Sequence, residues 1–304
     1  MTIVYLAFLF TFNVLFKIKI VPKINNELLI KYLVANTTNN NTFNSLYNFN
    51  VTSPNNLFKF GLNNMFKGIK ADSYVFSSSD EDEPGSTTEY IADPNPVNID
   101  KPLIYIYNTH QLENYSAEKL APYNIKPNVL MASYILRENL NDLGIPTIVE
   151  TRNITEILRI NGWAYKYSYE ASKMMIIDTL EKNSSIEYII DLHRDSSKYE
   201  KTTTEINKVK YAKILFVVGK EHENYAKNLA IANKLNDLLI SEDKSLSRGI
   251  MLKEGPGVNG IYNQNLNENA ILIEMGGQYN TIEEVNNTIP ILSKILFKLM
   301  GDMI

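Results

Sequence analysis

Beyond residue 100 the chain alternates between two hydrophobic rhythms. Short continuous apolar runs, bounded by turn-forming residues, read as strands buried on both faces: Leu103–Tyr107, Pro146–Glu150, Tyr188–Leu192, Ile214–Val218, and a strand opening at Ala270–Ile273. Between them lie longer stretches with apolar residues three and four apart, the spacing of a helix with one buried stripe. These are Asn128–Asn141, stopped by Gly144; Tyr167–Lys182, with Met174, Met175, Ile177 and Leu180 on its inner side; Asn224–Ile240; and Thr281–Met300. Glu283 and Glu284 in the first turn of the last helix complement its dipole. The alternation predicts an α/β fold, with a mostly parallel central sheet covered by helices on both faces.

The first hundred residues lack this rhythm. Ile3–Phe16 is apolar apart from Thr11 and Asn13, short of the roughly 20 residues that span a bilayer unless Ile18, Ile20 and Val21 extend it past Lys17 and Lys19. Residues 1–23 are expected to form a membrane anchor or signal-like segment. The lysines behind the run conflict with placing the rest of the chain outside the cytoplasm. Asn36–Asn64 is crowded with asparagine, which favours turns and caps, and Ser77–Pro96 combines an acidic run with three prolines. Residues 24–100 are thus expected to be an Asn-rich and acidic linker, and 101–304 the principal folded domain.

Composition narrows the chemistry. The 304 residues are 44% hydrophobic, enough for a sizeable core, and carry a net charge of -4 without a basic cluster. Nucleic-acid binding is disfavoured, because phosphate neutralisation needs Lys and Arg gathered on one face. With no cysteine, disulfides, thiolate metal sites and a Cys nucleophile are excluded, and any metal must be held by His, Asp or Glu. There are three histidines: His110, His193 and His222. No glycine-rich nucleotide loop is present.

In open α/β sheets ligands bind beyond the carboxyl ends of the strands. The first strand runs into Asn108-Thr109-His110-Gln111-Leu112-Glu113, the third into Asp191-Leu192-His193-Arg194-Asp195, and the late one into Glu274-Met275-Gly276-Gly277. A catalytic zinc site needs three protein ligands and one open position, and His110, Glu113 and His193 supply such a set without cysteine. Asp191 projects to the same side of its strand as His193, either to orient an imidazole or to cap the strand end. Glu274 is a candidate general base that activates water and then protonates the leaving amine; a salt-bridged or capping role is the alternative. Gly276-Gly277 permits close backbone approach to a ligand or a simple turn. Arg194 can bind a carboxylate with both arms of its guanidinium or pair with Asp195. His222, in KEHEN at a helix start, reads as a solvated surface residue.

The stretches YNTHQLENY, DLHRDS, YNQNL (Tyr262–Leu266) and LIEMGGQYNT, in this order and spacing, resemble the stage II sporulation protein P family, a branch of the zinc-dependent N-acetylmuramoyl-L-alanine amidases. The resemblance covers about residues 101 to 304 and implies a zinc amidase-like catalytic domain. It implies a peptidoglycan hydrolase that acts outside the cytoplasmic membrane during engulfment of the forespore. The bond it cleaves would be the amide between N-acetylmuramic acid and L-alanine, with endopeptidase action on stem peptides as well. The implied partners are stage II sporulation proteins D and M. His110 and His193 take the two histidine ligand positions and Glu274 matches the catalytic Glu. The third ligand falls to Glu113, with Glu118 as second choice, and Asn263 in YNQNL to substrate binding or support of the ligands. A non-catalytic wall-binding or scaffold domain and a zinc carboxypeptidase are the competing readings.

Overall fold

The computed structural model describes residues 89–116 and 126–301. The anchor-like segment, most of the linker and Glu118 lie outside these residues. Among those described, no helix is long and apolar enough to cross a membrane.

The first strand, β1 (Ile104–Tyr107), is followed by α1 (Val129–Asp142), capped by the Asn128 side chain on the Met131 amide, and then by β2 (Thr147–Val149). Two helices follow, α2 (Ile154–Asn161) and α3 (Ser168–Lys182), before β3 (Tyr188–Asp195). A single helical turn, Tyr199–Thr202, introduces a hairpin of β4 (Thr203–Ile206) and β5 (Val209–Ala212). The chain continues through β6 (Ile214–Gly219), α4 (Tyr225–Glu242), β7 (Ser247–Lys253) and β8 (Ala270–Gly277). It closes with α5 (Ile282–Met300), which begins in a reciprocal capping box between Thr281 and Glu284.

Six strands form the main sheet in the order β2-β1-β3-β8-β6-β7. All neighbours are parallel except β8 and β6, which run antiparallel. The α/β class is as expected, but the sheet is mixed: β6 and β7 end at the edge where β8 begins. The chain moves from β1 to β2 on one side and returns to β3 on the other, so the strand order reverses between β1 and β3. Their carboxyl ends therefore open the crevice in which α/β sheets bind ligands.

Side-chain alternation divides the sheet into two faces. Ile104, Ile106, Ile190, Leu192, Phe216, Ile271 and Ile273 join the large core beneath α1, α4 and α5. Tyr105, Tyr107 and Ile189 lie on the other face against Ile176 of α3, and Leu215, Val217 and Leu272 pack with Tyr169 and Tyr262. Asp191 and His193 follow Ile189 at intervals of two, and Glu274 follows Leu272. All three thus point to the face covered by α3.

The linker does not remain detached up to residue 100. Tyr90 and Ile91 pack on the main core, Tyr90 donates to the Thr151 carbonyl, and Tyr134 donates to that of Ile91. Arg137 of α1, 2% exposed, ion-pairs with Asp93, 8% exposed, and also donates to the Asn95 carbonyl at 3.0 Å. Acidic and proline-rich composition hid this strap because its anchors are isolated residues without a periodic pattern.

Candidate metal centre

The loop leaving β1 is fixed at several points. Asn108 Nδ2 donates to the Leu192 carbonyl at 2.6 Å and its Oδ1 accepts from Ser133 at 3.0 Å, tying the strand end to β3 and α1. The Gln111 side chain donates to the Arg152 carbonyl at 2.7 Å and accepts from the Ile154 amide at 2.8 Å. Between these ties the Glu113 amide donates to the His110 carbonyl at 3.0 Å, a tight turn that brings the two side chains together. Asn108 and Gln111 therefore serve the loop's shape.

His193 comes from inside β3, which runs three residues beyond its expected end at Leu192. His110 Nδ1 lies 3.4 Å from Glu113 Oε1, and His193 Nδ1 lies 3.4 Å from Glu113 Oε2. One donor atom from each of His110, Glu113 and His193 falls within 4.8 Å of the other two. The Arg194 amide donates to Glu113 Oε2 at 3.1 Å and orients the carboxylate. Aromatic rings set the imidazole planes: Tyr165 stacks on His110 at 5.1 Å, and Tyr169 is edge-on to His110 at 5.6 Å and parallel to His193 at 6.5 Å.

The far nitrogen of His193, Nε2, lies 2.9 Å from Asp191 Oδ1. Asp191 is itself held by the Thr109 amide at 2.9 Å and the Thr109 hydroxyl at 2.7 Å. A carboxylate behind an imidazole fixes which nitrogen faces a metal. Burial alone would strip the His193 proton, but the Asp191 and Glu113 carboxylates raise its pKa well above the usual histidine range. Burial would likewise raise Glu113, yet His193 and His110 hold it well below the ordinary carboxylate range. Two imidazole nitrogens converging on an ionised carboxylate form a donor set suited to zinc, whose ligand sites commonly combine His with Glu. A cation there would take the place of the proton that the carboxylates now retain.

Glu274 stands beside His193 because β3 and β8 pair with these two residues as register partners. Its Oε2 is shielded from solvent and has no hydrogen-bond partner. Burial pushes the carboxyl up to about 8; His193 opposes the shift and the Glu113 charge adds to it. A carboxyl whose pKa is brought near neutrality, with one oxygen shielded and without a hydrogen-bond partner, suits general acid–base work.

The family model for Stage II sporulation protein P (SpoIIP) matches residues 29–297. The chain belongs to the stage II sporulation protein P family. Stage II sporulation protein P of Bacillus subtilis (strain 168) is 33% identical over 215 residues, covering 69% of this chain and 54% of that protein. The chain thus spans about half the length of the curated relative it matches. Solved structures with similarity include the CwlD amidase from Clostridioides difficile in complex with the GerS lipoprotein, at TM-score 0.41 and 12% identity over 66% of this chain and 99% of that one. A metallo-carboxypeptidase from Burkholderia cenocepacia is similar at TM-score 0.42 and 8% identity over 69% of this chain and 60% of that one.

In this family member, His110, Glu113, His193, Asp191 and Glu274 come together; other residues singled out in the sequence have different surroundings. Arg194 does not pair with Asp195. Its Nε donates to the Asn114 carbonyl at 3.1 Å, and Asp195 instead pairs with Arg248 at 2.6 Å. Gly276 is not open to a ligand: at φ +70° it sits where a Cβ would meet Asn280 Oδ1 at 2.9 Å and Ala212 Cβ at 3.0 Å. The Asn263 amide points into the protein, donating to the Tyr169 carbonyl and to Ser172 Oγ at 2.9 Å each. His222 is half-buried and not a fully solvated surface residue: both ring nitrogens are shielded, and burial lowers its pKa. Thr109 lay unremarked within YNTHQLENY, and Ser172, Tyr165 and Tyr169 had no motif to mark them, since their roles depend on where α3 crosses the sheet.

Proposed function

We propose that this family member is a zinc-dependent peptidoglycan hydrolase that cleaves the amide between N-acetylmuramic acid and L-alanine. The observation that carries the reading is the convergence of His110, Glu113 and His193 beside Glu274, whose Oε2 is shielded and has no hydrogen-bond partner. His110, Glu113 and His193 would hold the metal, and Asp191 would fix the His193 ring. When bound, zinc supplies a Lewis acid that polarises the scissile carbonyl and lowers the pKa of water. Glu274 accepts the proton of the attacking water and returns it to the departing alanine nitrogen as the carbon–nitrogen bond breaks, so that it ends the cycle as it began. The reading includes action outside the cytoplasmic membrane during engulfment, with residues 1–23 as an anchor and stage II sporulation proteins D and M as partners.

Purified peptidoglycan is the test substrate. Digestion by the zinc-loaded chain should release stem peptides with free L-alanine amino termini, detected by mass spectrometry, and a chelator should stop it. Release of carboxy-terminal residues alone would assign a carboxypeptidase instead. Binding to the wall without any cleavage would assign a scaffold.

A further inference from the structure

Every other arginine of the chain has a carboxylate at ion-pair distance: Arg137 pairs with Asp93, Arg152 with Glu150 and Asp178 at 2.6 and 2.7 Å, Arg159 with Glu156 at 2.6 Å, and Arg248 with Asp195 at 2.6 Å. Arg194 has none among the described residues, although it is only 8% exposed. A buried cation without a counter-ion is costly, and such groups are ordinarily paired. The acid next to it in β3, Asp195, is taken by Arg248. Glu113 accepts the Arg194 backbone amide, but its two oxygens face His110 and His193. The Arg194 side chain donates from Nε to the Asn114 carbonyl at 3.1 Å, and its two terminal nitrogens have no partner among the described residues. Its charge nevertheless reaches the site. Burial raises the pKa of both the Glu274 carboxyl and the Tyr115 hydroxyl, and the Arg194 charge opposes the rise in each. Glu274 Oε2 and the Tyr115 hydroxyl are themselves shielded and without a hydrogen-bond partner.

We propose that Arg194 is a specificity-determining residue that binds a carboxylate on the peptide side of the amide cleaved. A guanidinium presents pairs of N–H donors at the spacing of two carboxylate oxygens. With Nε held on Asn114, the two terminal nitrogens form the remaining fork. Arg194 directly follows His193 in β3, so the group it binds lies on the order of one or two residues from the reacting bond. On the peptidoglycan reading given above, on which this assignment rests, the sugar side of that amide carries no carboxylate, and the alanine carboxyl is consumed in the next peptide bond. The first free carboxylate is therefore on the second residue of the stem, where a glutamate joined through its side chain leaves its α-carboxyl unlinked. Where that group is amidated, an NH₂ with two donors of its own stands in place of one acceptor oxygen, and the fork meets a donor. Arg194 thus lets the chain tell an acidic stem from an amidated one.

Two peptidoglycans that differ only at that group, carboxylate or carboxamide, provide the test on the full zinc-loaded chain. Below KM the wild type should digest the acidic wall about tenfold faster than the amidated one, the size of one charge-assisted contact. Arg194→Gln should bring the ratio close to one, chiefly by slowing digestion of the acidic wall, with zinc content unchanged. Arg194→Lys keeps the charge without the fork and should retain a smaller preference. The ratio separates recognition from support: if Arg194 only holds the Asn114 carbonyl, its loss slows digestion of both walls alike. Equal digestion of the two walls by the wild type, or the wild-type ratio persisting in Arg194→Gln, would overturn the proposal. A preference that emerges only in Glu118→Gln would overturn it as well, by making Glu118 the anionic partner of Arg194. If Arg194→Gln does not fold, the wild-type ratio and Arg194→Lys carry the comparison. Sedimentation of the Glu274→Gln chain with each wall repeats it without turnover: more chain should pellet with the acidic wall, and adding Arg194→Gln should remove the difference. If the wild type digests neither wall, the hydrolase reading fails, and sedimentation still decides whether Arg194 selects the carboxylate.

Discussion

Glu113 is the point on which both imidazoles converge, with His110 on one carboxylate oxygen and His193 on the other at 3.4 Å each. On the proposed function, replacing any of the three removes one of a minimal set of zinc ligands. His110→Ala, Glu113→Ala and His193→Ala should each release zinc on gel filtration in metal-free buffer, while circular dichroism stays close to wild type, because the core strands beneath remain intact. Glu274 differs from them in kind. Glu274→Gln preserves size but removes the basic oxygen, so zinc content and wall binding should persist while turnover falls by on the order of 10²–10⁴. Loss of zinc along with turnover would make Glu274 a ligand, and unchanged turnover would refute its role as a base. The convergence of these residues was legible because they stand at strand ends in a chain with few histidines. The supporting residues were less so: Thr109 and Ser172 are small hydroxyl residues like many others, and only their contact across 63 residues distinguishes them.

Among the secondary elements, the strap of residues 89–95 across α1 includes one buried ion pair, Asp93 with Arg137. Asp93 would be raised by burial, but its bonds to Arg137 hold it below the ordinary aspartate range. A depressed carboxyl contributes stability that is full above the unfolded pKa of about 3.9 and is lost as pH falls through the lower folded value. Asp93→Asn should therefore lower the melting temperature at pH 7, and the gap to wild type should narrow steadily toward pH 3. A gap independent of pH would show that shape, not charge, holds the strap. The long elements could be read from sequence because their hydrophobic periods are unbroken. The short ones escaped for physical reasons. Helix α2 has only eight residues, although Asn153 caps it on Glu156 and Gly162 ends it at φ +64°. The β4–β5 hairpin turns through Asn207 and Lys208, both at positive φ, and a lysine there conceals the usual Asn-Gly signal. Strand β3 continues through charged residues because each finds a partner at the site, which a hydrophobic pattern cannot reveal.

Across the whole molecule, contacts with the folded unit begin, among the described residues, at residue 89, ahead of the expected boundary near residue 101. A chain beginning at Glu89 should melt cooperatively near the full-length temperature, whereas one beginning at Lys101, lacking Tyr90, Ile91 and Asp93, should melt lower. Equal melting temperatures would mean that these contacts contribute nothing measurable. The reversal of β6 and β7 has a different consequence. The ends of β1, β3 and β8 present the histidines and Glu274 at one edge of the sheet, while the segment leaving β7 at Lys253 departs from the opposite edge. The two edges are therefore separate territories for anyone attaching something to the protein. A fluorophore or affinity handle inserted at Gly257, within Glu254–Asn259, should leave zinc uptake and wall digestion intact. The same insertion between Gly162 and Tyr165 should impair both by crowding the ring stacked on His110.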